Sequence, residues 1–129
     1  MTGRRYTLSK AERLSWKRYI DLLFAEGESF VSYPLRVIYL PVEQTMGVPV
    51  SFLISVSKKR FKRAVKRNAV KRLAREAFRQ HKVDFQEIAH SAGKELLLAF
   101  LYLDKEIATY TDMEKAMIKA VRLLREKLV

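Results

Sequence analysis

Arg67, Asn68, Lys71, Arg72, Arg75 and Arg79 recur at spacings of one, three and four residues. On a helix turning about 100° per residue, those spacings gather all six within an arc of roughly 140°. Guanidinium groups grip phosphates bidentately and stack on bases, while lysines add mobile point charge, so the chemistry of such a face is recognition of a polyanion. The six belong to a stretch from Lys58 to Lys82 that holds 12 of the chain's 26 Lys and Arg residues and one acidic residue, Glu76. Nearly all of the net charge of +12 is therefore local. Like charges at i,i+4 (Arg67, Lys71, Arg75, Arg79) oppose helix formation unless a partner neutralises them. A face kept only for solubility mixes signs, and this one does not. Nucleic acid is the leading partner, bound with release of its counterions. Asn68 reads two ways: its amide can bond a base or phosphate, or it can bond its own helix or a neighbouring loop.

Catalytic sets are missing by contrast. His81 and His90 are the only histidines, nine apart, and there is no cysteine, so neither a zinc site nor thiol chemistry is expected. No Ser/His/Asp arrangement and no glycine-rich phosphate loop can be placed. The carboxylates are scattered, with no cluster to hold paired magnesium ions. We expect no catalytic and no metal-binding residue; if cleavage is involved, this polypeptide does not supply the metal cage.

The elements that must position the basic face follow from composition and periodicity. A chain of 129 residues, 49% hydrophobic with four Gly and three Pro, reads as one domain over 1–129. Its longest apolar run, Leu96 to Leu103, is too short to span a membrane, and no apolar segment follows the basic MTGRRYTLSK start as a signal peptide requires. The basic helix lacks the bulky apolar face of a membrane-surface helix. A cytoplasmic, soluble protein is expected.

Ser9-Lys10-Ala11-Glu12 has capping-box spacing and predicts a helix over about 10–25, ended by Gly27. A short strand is expected at Glu28–Val31. Leu35–Val42 and Val50–Val56, rich in branched and aromatic residues, read as two strands joined by EQTMG into an antiparallel pair. Alternation puts Leu35, Val37 and Tyr39 on one face of the first, and Val50, Phe52, Ile54 and Val56 on one face of the second. The basic helix is predicted from about Phe61 to His81, seated by Val65, Ala69, Val70, Leu73, Ala74 and Ala77. Glu95–Leu103 reads as a buried central strand. A last helix over about 112–128, with capping-box spacing at Thr111–Glu114, brings an apolar stripe onto the sheet. The class is α+β.

Ser55-Val56-Ser57-Lys58-Lys59, followed after a basic spacer by Arg67-Asn68-Ala69-Val70-Lys71-Arg72-Leu73-Ala74-Arg75-Glu76-Ala77-Phe78-Arg79, resembles the bacterial ribonuclease P protein component. Arg13-Leu14, the helix ending in Phe24-Ala25-Glu26-Gly27, and Phe30 extend the likeness over about residues 8–103. One position departs: Ala69 stands where the family's signature has an arginine, and Lys66 and Arg63 lie near enough to replace part of that charge.

The resemblance implies a single-domain α-β sandwich, order α-β-β-β-α-β-α, with a four-stranded sheet and a left-handed crossover through the basic helix (ribosomal-protein-S5-domain-2-like). It implies a non-catalytic subunit of an RNA-based endoribonuclease that removes the 5′ leader from precursor tRNA. Its partners would be the catalytic RNA and precursor tRNA, with no membrane and no protein partner required. Magnesium would be held mainly by the RNA. Carried over by position, Arg67, Asn68, Lys71, Arg72 and Arg75 belong to the RNA-binding helix, with Arg63, Lys66 and Arg79 beside them as further candidates. A cleft between the first helix and the open sheet face would take the leader, with Ile20, Phe24, Lys58 and Lys59 as candidates and either Ile38 or Tyr39 from the strand. Phe24 and Tyr39 could equally be core. The rivals are a ribosome-associated structural RNA-binding protein, which lacks its usual basic tails here, and a DNA-binding regulator, which lacks a helix-turn-helix.

Overall fold

The all-apolar segment Leu96–Tyr102 takes the place its composition requires, the interior of a sheet. The computed structural model describes residues 17–43 and 47–129. Its elements are α1 (Lys17–Glu26), β1 (Glu28–Ser32), β2 (Leu35–Val42), β3 (Val50–Ser55), α2 (Ala64–Ala92), β4 (Glu95–Tyr102) and α3 (Tyr110–Leu128), an α+β fold in the expected α-β-β-β-α-β-α order. The strands form one four-stranded sheet in the order β1-β2-β4-β3. β1–β2 and β2–β4 are antiparallel, while β3–β4 is parallel. The expected pairing of β2 with β3 does not occur. β4 lies between them, because a strand without polar positions needs a neighbour on each edge and cover on each face. The parallel β3–β4 pair is connected through α2, so the basic helix is a crossover.

One face of the sheet carries Leu35, Val37, Tyr39, Phe52, Leu98 and Phe100 against the buried sides of α2 and α3. Phe78 of α2 stacks on Phe52 (centroids 4.1 Å apart) and on Phe85 (4.9 Å). Large rings at the centre of this layer fix both the height and the rotation of α2. His81 adds a polar tie: its Nε2 lies 3.0 Å from Glu114 Oε2 of α3. The opposite face is covered by α1, whose Leu23 packs on Leu97 and Ala99, with Tyr19, Ile20 and Ile38 around them.

The bounds of the two later helices differ from expectation, and α2 begins at Ala64 rather than near Phe61. α2 continues past His81 to Ala92, burying Phe85, Ile88 and Ala89, and ends at Gly93 in the left-handed region (φ 68°). α3 starts two residues early: Thr109 is the N-cap, its side chain accepting from the Asp112 N–H. The α1 start expected near residue 10, with its capping box, lies outside the described residues.

Candidate nucleic-acid interface

Two surfaces meet at the end of β3. The first is cationic. Past Ser55 the chain makes a turn in which the Arg60 and Phe61 N–H groups both donate to the Ser57 carbonyl (3.2 and 3.3 Å). Val56 and Phe61 are buried and pin the turn to the core, so Lys58 and Lys59 stand exposed between them. Arg63 is the N-cap of α2, with extended backbone (φ −86°, ψ 130°) and no side-chain capping bond, and the first turn holds no acidic residue. The uncapped N–H groups add their partial positive charge to that of the surrounding side chains.

Along α2, Lys66, Asn68 and Arg72 are exposed, and Lys71 and Arg75 are half-buried along their stems. Among the described residues, Lys58, Lys59, Arg63, Lys66, Lys71, Arg72 and Arg75 form no ion pair. Their charge is left for an outside partner. Asn68 forms no side-chain hydrogen bond among the described residues, so its amide is available as well.

Two members of the predicted face differ. Arg67 turns back, its Nη1 donating to the carbonyls of Phe61 (2.8 Å) and Lys62 (2.9 Å). Arg79 forms an ion pair with Glu76, which also receives a 3.2 Å bond from its Nε. That contact holds the Glu76 carboxyl below the usual carboxylate value and raises the Arg79 guanidinium. The apolar side of α2 is also shorter than its sequence suggests. Val65 is 79% exposed, because the first turn overhangs the sheet and burial begins at Val70.

The second surface is the α1 side of the sheet. Ile38 and Tyr39 point to opposite faces, and only Ile38 is on the α1 side. Tyr39 is buried beneath α2 and α3 with its ring 5.8 Å from Phe30, so it is not a cleft residue. Strand alternation alone decides this, since Leu35, Val37 and Tyr39 are in phase. Ile38 lies beneath α1 with Ile20. Phe24, one residue past the fully buried Leu23, is 47% exposed and lies at the rim of the α1 contact.

Beside the covered part runs an open row, Val31–Arg36–Leu101–Ser55, one residue from each strand. Val31, Arg36 and Ser55 are exposed. This row crosses the sheet from β1 to the end of β3, where Lys58 and Lys59 follow. Arg36 was not among the sequence candidates, although its i,i+2 relation to Ile38 puts it on the same face.

A family profile described as Ribonuclease P matches residues 8–125. The chain belongs to the ribonuclease P protein family. It is 41% identical over 116 residues to the ribonuclease P protein component of Porphyromonas gingivalis, covering 90% of this chain and 85% of that one. It is 40% identical over 102 residues to that of Chlorobaculum tepidum, covering 74% and 66%. Among solved structures, the ribonuclease P protein of Thermotoga maritima superposes with a TM-score of 0.67 at 22% identity, covering 87% of this chain and 96% of that one. A Staphylococcus aureus ribonuclease P protein variant gives 0.67 at 21%, covering 93% and 92%. At those identities the structural likeness speaks to the fold. The sequence relatives speak to function: this chain is a protein component of ribonuclease P, the enzyme that processes tRNA precursors. No described helix is long and apolar enough to cross a membrane.

Proposed function

We propose that this subunit is non-catalytic and acts by organising two RNAs, the ribonuclease P RNA on the α2 face and the 5′ leader of precursor tRNA along the groove beside α1. The observation that carries the reading is the segregation of unpaired cations onto the 58–75 surface, next to an open sheet row that ends at the same place. Neutralising phosphates there would let two polyanions approach each other, which is the main electrostatic obstacle in bringing a substrate RNA to a catalytic RNA. The groove offers Phe24 as a stacking surface and Arg36, Lys58 and Lys59 as phosphate contacts, a combination suited to single strands.

The magnesium that the family's chemistry requires finds no carboxylate or histidine cluster among the described residues: no three His, Cys, Asp or Glu side chains come together to hold a metal ion. The surface that meets RNA is cationic and would repel a divalent ion. On this reading the RNA holds the metal ions, and the protein's part is charge neutralisation and alignment of the leader. Such a subunit needs no protein partner and works where precursor tRNA is made, in the cytoplasm.

Reconstitution tests this. Protein freed of RNA, mixed with precursor tRNA and magnesium, is expected to leave the leader intact, whereas protein plus the ribonuclease P RNA of the same cell removes it at magnesium concentrations where the RNA alone is slow. Cleavage by the RNA-free protein would overturn the assignment.

A further inference from the structure

We infer that Arg67 is a positioning residue for the RNA-binding surface, locking the cationic turn 57–62 onto the first turns of α2. The inference deepens the RNA-binding reading above and rests on it. One nitrogen, Nη1, spends both of its hydrogens on the carbonyls of Phe61 and Lys62 (2.8 and 2.9 Å). Among the described residues no backbone N–H reaches either carbonyl. The turn is otherwise secured by the two bonds to the Ser57 carbonyl and by the buried Phe61 ring, whose centroid lies 6.0 Å from that of Tyr102, and neither of these holds Lys62. Between Phe61 and the start of α2, Arg67 provides the tie.

The choice of side chain is informative. Lys62, Arg63, Lys66 and Lys71 surround this guanidinium in sequence, so another cation is electrostatically unwelcome. The planar guanidinium fixes both N–H bonds of Nη1 toward two adjacent carbonyls, whereas a freely rotating ammonium on a shorter, flexible stem does not hold that pair. Holding the turn rigid keeps Lys58 and Lys59 at the mouth of the open sheet row and Arg63 beside the uncapped N-terminus of α2. Preorganised cations bind without losing further side-chain and loop entropy. Arg67 thus acts through its neighbours, while its Nε and Nη2 form no hydrogen bond among the described residues.

A double-mutant cycle separates this role from direct phosphate contact. The variants are Arg67→Met, Arg67→Lys, Lys58→Ala/Lys59→Ala, and each Arg67 change combined with the lysine pair. Affinity for ribonuclease P RNA is measured for all, and amide exchange at Arg60 and Phe61 on the free protein. Both Arg67 variants are expected to exchange about tenfold faster at these amides, with β4 amides unchanged. Once Arg67 is altered, removing the two lysines should cost at least about threefold less affinity than it does in the wild type, the signature of shared action. Unchanged exchange, losses that simply multiply, or wild-type behaviour in Arg67→Lys would each overturn the positioning role. If the wild-type protein does not bind the RNA at all, the underlying reading fails and the inference with it.

Discussion

Replacing Phe24 by alanine separates a substrate-contact role from a packing role at the groove. Phe24 is 47% exposed and belongs to neither apolar cluster, whereas its neighbour Leu23 is fully buried. Burying a phenylalanine completely is worth about 1.5–3 kcal/mol, so half of that, near 1 kcal/mol, is what Phe24→Ala should cost in stability. For a domain of this size that lowers the melting temperature by about 4 °C. A true core phenylalanine would instead cost about 3–5 kcal/mol. If a leader base stacks on the ring, about 1–3 kcal/mol of binding is lost, or roughly 5- to 150-fold in affinity. The assay is binding of the reconstituted holoenzyme to precursor tRNA and to mature tRNA, with thermal melting of the free variant alongside. Weakened binding of the precursor alone, in a protein that melts nearly normally, supports the groove. Equal weakening for both tRNAs, or a collapse in melting temperature, would refute the assignment of Phe24 to the leader.

Gly27→Ala is expected to destabilise by about 1–3 kcal/mol in denaturant unfolding. A Cβ there would sit 2.9 Å from Ile38 Cγ2 and 3.0 Å from the Tyr39 carbonyl, and closer still to that of Leu23, forcing α1 away from β2. Glu76→Ala removes the one carboxylate from the basic face, the partner of Arg79, and should tighten RNA binding and steepen its salt dependence by up to about 0.7–0.9 in log–log slope. The same pair has a pH signature. Because the Arg79 hydrogen bond lowers the Glu76 value, its stabilisation is present above pH 4.5 and lost as pH falls through the lowered folded value. The stability gap between wild type and Glu76→Ala should therefore close in acid, as pH-dependent melting curves would reveal.

Much of this architecture is legible in local residue patterns, and the errors have identifiable physical origins. The uninterrupted apolar run at 96–102 announces a central strand, and the period of the basic segment announces a helix with one charged side. Pairing of β2 with β3 was the natural inference from their short separation, but register and neighbours are set by long-range packing, and β4 outcompeted the local turn. The same strand carried the correcting signal, since an all-apolar strand cannot sit at an edge. The end of α2 was obscured by the charged Lys82 and Asp84, although Phe78, Phe85, Ile88 and Ala89 continue the helical period and Gly93 supplies the stop. At the site, alternation along β2 contained the answer for Tyr39 and Ile38. Arg67 and Arg79 could not be separated from the other cations by sequence, because what distinguishes them is a contact with carbonyls five and six residues back, ahead of the helix, and a contact with Glu76.

The most direct test of the cationic surface is the salt dependence of binding to ribonuclease P RNA for the wild type and for the Lys71→Ala/Arg72→Ala/Arg75→Ala variant. None of these three forms an ion pair among the described residues, so each substitution should leave folding within about 0.5 kcal/mol. Each phosphate contact contributes roughly −0.7 to −0.9 to the slope of log affinity against log salt, and losing three should flatten it by about 2–3. A folded variant whose slope matches the wild type would contradict the account and place the RNA on another surface.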